Sequence, residues 1–393
     1  MGKRGKNLRH FQHLSKEEYE RLFFLMPTDF TKDTKKEILS YALGATLYIP
    51  AVHDKLYEYL VTRKYNSLTT LVICLEDGIR DDQVGQAELN LVHTLQRLRE
   101  AICAKVIREE ELPLLFVRVR SSQQLEQLLE IEVIRAFVTG FTLPKFSSHE
   151  GQIQLQLIRR ANEKNHLKLY AMPILETKQI IDLTTGYEEL QSIKEILVSY
   201  KEIILNIRIG ATDFTGLFGI RRTIDSTIYD ITVIRECIGR IINFFGQAGE
   251  GWVISGPVWE FFSNHSRLLK PELRQTPFRK YGEAGKEARA KLLDKAEDGL
   301  IKEVILDKVN GLIGKTIIHP THIRLVNALQ VVTKEEYEDA LQIISDEGGG
   351  VVKSKEGNKM NEMKPHTNWA RKVLTKANIY GVINENEDYT ALF

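Results

Sequence analysis

Short apolar runs recur along the chain at intervals long enough to hold a helix. They are TLYIPA (46–51), TLVICLED (70–77), LPLLFVRV (112–119), AFVTGFTLPK (136–145), LKLYAMPILE (167–176), IILNIRIGATD (203–213), GWVISGP (251–257) and GKTIIHP (314–320). Each is brief and rich in Val, Ile and Leu, as strands buried on both faces are. Most of the gaps carry an amphipathic helix, such as SSQQLEQLLE and GYEELQSIKEILVSY. Strand–helix alternation predicts a parallel sheet, and eight such strands predict an α/β protein built as a closed (β/α)8 barrel over residues 46–330. The rival architecture is an open doubly wound sheet, which places a glycine-rich phosphate loop after its first strand. Here the first strand runs into PAVHDKL, which has no glycine.

The flanks read differently. Residues 1–45 form an N-terminal helical extension, with a capping-box pattern from Ser15 to Glu18 in SKEEYERLFFLM. A charged insert at about 260–300 reads as helix and loop over one end of the barrel. Residues 331–393 predict a C-terminal helix (TKEEYEDALQII), a small hairpin (GGVVKSKEGNKM) and a closing helix (NWARKVLTKANIY). No repeat of solenoid period is present.

Composition narrows the class. The chain has 393 residues, of which 43% are hydrophobic, enough for one large core with extensions. Basic and acidic residues balance, 54 against 53, so nothing global points to nucleic acid or an anionic membrane surface. No apolar run is long enough to span a bilayer. MGKRGKNLRHFQHLSKEEYE lacks the apolar core of a signal peptide, and MGKRGK lacks the Ser or Thr of a myristoylation signal. Cys74, Cys103 and Cys237 are scattered with no CxxC, which fits a reducing cytoplasm and structural thiols.

In a (β/α)8 barrel the site lies at the C-terminal ends of the strands. The polar residues there are Glu76 and Asp77 after the second strand, Arg118 and Arg120 at the third, Lys145 at the fourth, Glu176 at the fifth, Asp213 at the sixth and His319 at the eighth. The strand bodies read as apolar. Glu176 and Asp213 come from neighbouring strands and would repel each other if left alone. A hard divalent cation resolves this. Mg²⁺ is held by one or two carboxylates, with waters and substrate oxygens completing its shell. Gly210, Ala211 and Thr212 would let a substrate approach the backbone, and Arg118 offers a planar fork for a carboxylate. Bland readings stand beside these. Asp213 alone reads as a turn residue or helix cap, and Glu176 or Arg118 as a salt-bridge partner. One of Glu76 and Asp77 reads as a cap for the next helix. Lys145 reads as a salt-bridge partner rather than a Schiff-base lysine, and His319 as packed or hydrogen-bonded.

TLYIPAVHDKLYEYLVTRKYNSLTTLVICLEDGI resembles the opening of the citrate lyase beta subunit and HpcH/HpaI aldolase superfamily. VRV (117–119), LPK (143–145), ILET (174–177), IGATDF (209–214) and GKTIIHPTHI (314–323) follow in that superfamily's order, and the glycine-rich C-terminal hairpin is similar too. The match spans roughly residues 45–380, and within the superfamily it looks most like the divergent C–C bond lyases of the TIM-barrel fold. The resemblance implies a Mg²⁺-dependent barrel enzyme that cleaves or forms a carbon–carbon bond beside a carbonyl. Retro-aldol or retro-Claisen cleavage would pass through a metal-stabilised enolate, on an oxo-acid or acyl-CoA-like substrate. It further implies that Glu176 and Asp213 bind the metal, that Arg118 binds and polarises the substrate, and that Glu76 and Asp77 hold metal-bound waters or orient Arg118. Relatives carry an acid in the C-terminal segment that reaches a neighbouring subunit's site. Glu362 is the nearest candidate, although the family acid is an Asp two residues before a Pro and Glu362 lies three before Pro365. Arg120 stands where many relatives have Asn. A cytoplasmic homo-oligomer is expected. Two other readings stay open: a barrel enzyme handling phosphoenolpyruvate or a sugar phosphate, with Arg274, Arg279 and Lys280 as phosphate ligands, and a non-catalytic metal-binding subunit.

Overall fold

The computed structural model describes residues 7–262, 295–345, 350–355 and 357–393. Eight parallel strands form one sheet: β1 (Ala45–Pro50), β2 (Thr70–Cys74), β3 (Leu114–Arg118), β4 (Gly140–Leu143), β5 (Tyr170–Leu175), β6 (Ile207–Ile209), β7 (Ile254–Ser255) and β8 (Lys315–Ile317). Their order is β7-β6-β5-β4-β3-β2-β1-β8. A bridge between Gly256 and Lys315 joins the two end strands. The Gly256 N–H donates to Gly314 O (3.0 Å) and the Thr316 N–H to Gly256 O (3.1 Å). The eight apolar runs of the sequence are therefore the eight staves of a barrel.

Strand alternation decides what each residue covers. Leu71 and Ile73 face outward, into the shell shared with Leu91, Leu95 and Leu98 of helix Val84–Cys103. Val72, Phe116 and Met172 face inward and pack with Leu8, Phe11, Phe30, Leu39 and Tyr380 from the two ends of the chain. The chain termini thus plug the N-terminal mouth of the barrel. The helices start where the sequence supplies caps. Ser121 and Ser147 accept from the backbone N–H groups of Gln124 and Glu150, opening helices Ser122–Glu130 and Ser148–Asn165.

Three expectations change. The N-terminal extension is not purely helical. Its capping box forms at Ser15 and Glu18, but the helix stops at Leu22, and Phe23–Leu25 pairs antiparallel with Val382–Ile383. Three consecutive bulky apolar residues cannot all reach one side of a helix, whereas an extended segment can pair with the C-terminal strand. In the run 203–213, only Ile207–Ile209 is strand, and Ala211–Leu217 is already helix. Nor are all strand bodies apolar: Arg208 and Lys315 lie within strands and are buried. Most of the expected insert, with Arg274, Arg279 and Lys280, lies outside the described residues. Helix Lys334–Ser345, hairpin strands Val351–Lys353 and Met360–Glu362, and helix Met363–Tyr380 make up the C-terminal region. Among the described residues no helix is long and apolar enough to cross a membrane.

The seam between β7 and β8 is short, and a buried ionic network secures it. Lys315 Nζ donates to Glu303 Oε1 (2.9 Å) and Asp307 Oδ2 (2.8 Å) of helix Lys295–Val309. The Tyr229 hydroxyl donates to Asp307 Oδ1 (2.6 Å), and the Ile228 N–H to Glu303 Oε2 (2.8 Å). Arg222 pairs with both Glu303 and Glu260. A Cβ on Gly256 would lie 2.3 Å from Asp307 Oδ2, so that position must stay bare for the carboxylate to reach the seam. Lys315→Met would leave two acids buried without their shared cation. Urea denaturation of this variant should show a loss of about 3–5 kcal/mol, the usual cost of breaking a buried pair from one side. A loss under about 1 kcal/mol, the worth of an exposed pair, would show that the network does not secure the seam.

Candidate active site

The C-terminal mouth opens into a cavity of about 460 Å³, with Tyr48, Cys74, Asp77, Arg118, Glu176, Arg208, Gly210, Thr212, Asp213 and Glu260 in its wall. Each rim residue arrives there by a local device. After β2 the chain turns at once, and the Ile79 N–H donates to Glu76 O (2.8 Å). This turn buries Glu76 and leaves Asp77 half-exposed. Arg118 is the last residue of β3. Glu176 follows β5 directly, and Lys145 follows β4 in a left-handed conformation with φ 48°.

Glu176 is the most constrained of the acids. It is 4% exposed and accepts the Lys145 backbone N–H at 2.7 Å. Its carboxylate lies over Gly210, where a Cβ would stand 1.9 Å from Oε2. Glycine at 210 is thus required to seat Glu176. The same residue ends β6 and begins helix Ala211–Leu217, whose first turn carries Asp213 towards Glu176. Asp213 is therefore a residue of the first helical turn, not the turn residue or helix cap of the bland reading, since Gly210 is the N-cap, and it faces the cavity. The side chain of Ala211 packs instead into the shell outside the barrel.

Arg118 gathers the other charges. One terminal nitrogen contacts Glu76, Asp77 Oδ2 (2.8 Å) and Glu176 Oε1 (3.8 Å). Its Nε is buried with no hydrogen-bond partner among the described residues. Lys145 Nζ binds Glu76 Oε1 (2.5 Å) and Asp77 Oδ1 (3.3 Å), so the lysine is a salt-bridge partner of that pair and leaves Glu176 and Asp213 without a direct ion pair to its ammonium. Burial, then the charge of Asp213, pushes the Glu176 carboxyl up to about 8, against the opposing pull of Arg118. Burial and Asp77 raise Asp213. Burial also raises Glu76, partly offset by Arg118. Burial would raise Asp77 too, but its contact with Glu76 and the charges of Arg118 and Lys145 hold it low.

The rim therefore brings together Glu76, Asp77, Arg118, Lys145, Glu176 and Asp213. Among the described residues, no group of three or more His, Cys, Asp or Glu side chains is arranged to hold a metal ion. Glu176 and Asp213 offer two oxygen ligands and room for waters, the donor set a hard divalent cation accepts. Glu362 does not join them within one chain; it is exposed at the start of helix Met363–Tyr380. His319 lies half-buried, its Nδ1 2.8 Å from Thr321 Oγ1 and its ring stacked on Phe262. Arg208, Tyr48 and Glu260 also line the cavity and were missed. The signal for Arg208 was the alternation Ile207-Arg208-Ile209, which turns one charged side chain into the barrel.

A family model described as the C–C bond lyase of the TIM-barrel fold matches residues 37–382. No curated protein matches the chain. Among solved structures, protein CitE of Mycobacterium tuberculosis, in complex with magnesium, acetoacetate and coenzyme A, is 17% identical with a TM-score of 0.50, covering 86% of this chain and 99% of its own. RipC of Yersinia pestis is 16% identical with a TM-score of 0.45, covering 74% and 95%. The citrate lyase beta subunit of M. tuberculosis, complexed with oxaloacetate and magnesium, is 18% identical with a TM-score of 0.44, covering 73% and 96%. At 17% identity the likeness to CitE is one of fold.

The raised Glu176 carboxyl has a consequence for stability. A carboxyl whose folded value lies above its ordinary 4.5 adds stability that is fully present below 4.5 and is lost as pH rises through about 8. Glu176→Gln removes that dependence. In EDTA the variant should melt above the parent protein near pH 8, with the gap closing towards pH 5. Parallel melting curves across this range would show that Glu176 does not titrate as its surroundings require.

Proposed function

The chain belongs to the family of C–C bond lyases of the TIM-barrel fold, and on that premise we propose that it cleaves or forms a carbon–carbon bond next to the carbonyl of a small oxo-acid or acyl-CoA-like substrate, with Mg²⁺ as cofactor. The observation that carries this reading is the Glu176–Asp213 pair. Two acids are held side by side over a bare glycine; burial and the charge of Asp213 raise Glu176, and burial and the charge of Asp77 raise Asp213.

Glu176 and Asp213 hold the Mg²⁺, which when bound supplies Lewis-acid polarisation of a carbonyl and offsets the charge of the two acids. Arg118 binds the substrate's carbonyl or carboxylate. Its Nε is buried and free, and Glu76 and Asp77 hold one terminal nitrogen of the guanidinium, so the donors are oriented before substrate arrives. Retro-aldol or retro-Claisen cleavage moves negative charge onto the carbonyl oxygen, beside this cation. Lys145 keeps Glu76 and Asp77 neutralised, which leaves Arg118 able to face the substrate. The backbone of Gly210, Ala211 and Thr212 lets the substrate lie close to the chain. The protein acts as a homo-oligomer in the cytoplasm, and Glu362 supplies an acid to the cavity of a neighbouring copy.

Pyruvate methyl protons should exchange with deuterium in the presence of MgCl₂, as followed by NMR. Arg118→Ala should slow that exchange by about 10²–10³-fold, the worth of one charge-stabilising donor. Protein that binds Mg²⁺ and pyruvate yet never exchanges the protons would instead be a binding subunit. Mixing Glu362→Gln with Arg118→Ala protein should restore part of the lost exchange, because a hybrid oligomer holds one intact site. Monomers in light scattering at micromolar concentration would exclude the shared site.

A further inference from the structure

Arg208 stands alone inside the barrel. It is 1% exposed, lies within β6, and so enters the cavity below the rim acids, all of which follow the ends of their strands. Among the described residues its hydrogen bonds go to neutral oxygens, Thr316 Oγ1 at 2.7 Å and Thr46 Oγ1 and Asn206 Oδ1 at 3.4 Å, and its buried Nε has no partner. Among the described residues no carboxylate pairs with it, whereas the other fully buried cation, Lys315, has two. The Tyr48 ring lies 5.8 Å from the Arg208 guanidinium and 5.9 Å from that of Arg118, and the Tyr48 hydroxyl is buried beside Arg208. A buried, unpaired guanidinium is expensive, and an apolar side chain of similar size would fill the barrel at lower cost.

We infer that Arg208, with the Tyr48 hydroxyl, is a substrate-anion site at the base of the cavity, and that the substrate is a small acid with two anionic groups. One group lies at the rim, and the second, a carboxylate, accepts a fork of hydrogen bonds from Arg208. The inference rests on the proposed lyase site, since it takes the substrate's other end to lie at Glu176, Asp213 and Arg118. It goes further by fixing the class of substrate: a dicarboxylic oxo-acid is preferred over its monocarboxylic counterpart. Arg208 is the specificity-determining residue.

Calorimetric titration of the full chain in MgCl₂ with fresh oxaloacetate and with pyruvate tests this. The parent protein should bind oxaloacetate at least ~10-fold more tightly than pyruvate, as a buried charged hydrogen-bond partner warrants. Arg208→Gln should bind the two acids alike, at the parent's pyruvate affinity. Its Mg²⁺ affinity, measured with the metal alone, should be unchanged, and its ligand-free melting temperature should be no lower than the parent's. Arg208→Lys, which keeps the charge and loses the fork, should retain a weaker preference. A preference for oxaloacetate that survives in Arg208→Gln would overturn the inference, and so would a Gln variant that melts far below the parent or fails to fold, since the charge would then be structural. Equal binding of both acids by the parent would overturn it as well while leaving the lyase site standing. Failure of the parent to bind either acid would overturn the lyase reading and this inference together.

Discussion

Among the described residues, four carboxylates at one end of this barrel share two protein cations, while Glu260 in the same cavity wall has Arg222. Glu76, Asp77, Glu176 and Asp213 stand against Arg118 and Lys145. The geometry makes the shortfall local. Lys145 spends its ammonium on Glu76 and Asp77, while it gives Glu176 only a backbone N–H. The deficit therefore falls on Glu176 and Asp213. The same two acids are among those raised by burial and neighbouring charge. A site that crowds two acids short of a cation is stabilised when a divalent ion arrives. The bare Gly210 is part of this constraint, since any side chain there would push Glu176 off its seat and relieve the crowding.

Crowded charges at a rim need a rigid wall, and the wall is weakest where β7 and β8 are shortest. There the fold uses an ion network in place of a long ladder. Lys315, Glu303, Asp307 and Tyr229 are buried together and each has a partner. Arg222 extends the network to Glu260, which lines the cavity. The seam and the site are therefore joined by side chains as well as by the sheet. In this network each acid has a cation or hydroxyl, which is the condition under which buried charges are tolerated. The contrast with the rim is physical: in the seam each acid has its own cation or hydroxyl, and at the rim the acids crowd around shared cations.

Much of this was legible in the sequence, and the rest was hidden for identifiable reasons. Eight apolar runs with helix-length gaps gave the staves of the barrel, because a strand buried on both faces leaves a dense Val, Ile and Leu signature. The rim acids could be placed because a barrel strand points its C-terminal end at the site. Strand boundaries were less legible. Gly210 to Asp213 reads as an extension of β6, yet the chain bends at Gly210 to seat Glu176, a long-range demand that no local propensity expresses. Phe23–Leu25 looked helical because its pairing partner lies at the other end of the chain. Lys315 and Arg208 escaped notice because a charged residue inside a strand reads as a solvent-facing position; closure of the sheet turns Arg208 into the barrel, and helix Lys295–Val309 covers Lys315 on the outside.

Lys315 and Arg208 also show why burial of a charge is not by itself a functional signal. Both are fully buried and both sit in barrel strands. Lys315 has two carboxylates at hydrogen-bond distance, and its surroundings account for it completely. Arg208 has three neutral oxygens and an unpartnered Nε, with a cavity beside it. What separates the two is the balance of charge within reach, the same quantity that separates the seam from the rim. Taken together, the crowded acids at the mouth and the arginine below them, which no carboxylate among the described residues pairs, set opposite electrostatic demands at two depths of one cavity. A ligand that brings a cation to the upper level and an anion to the lower would satisfy both, and a dicarboxylate chelating a divalent metal is the simplest species with that distribution.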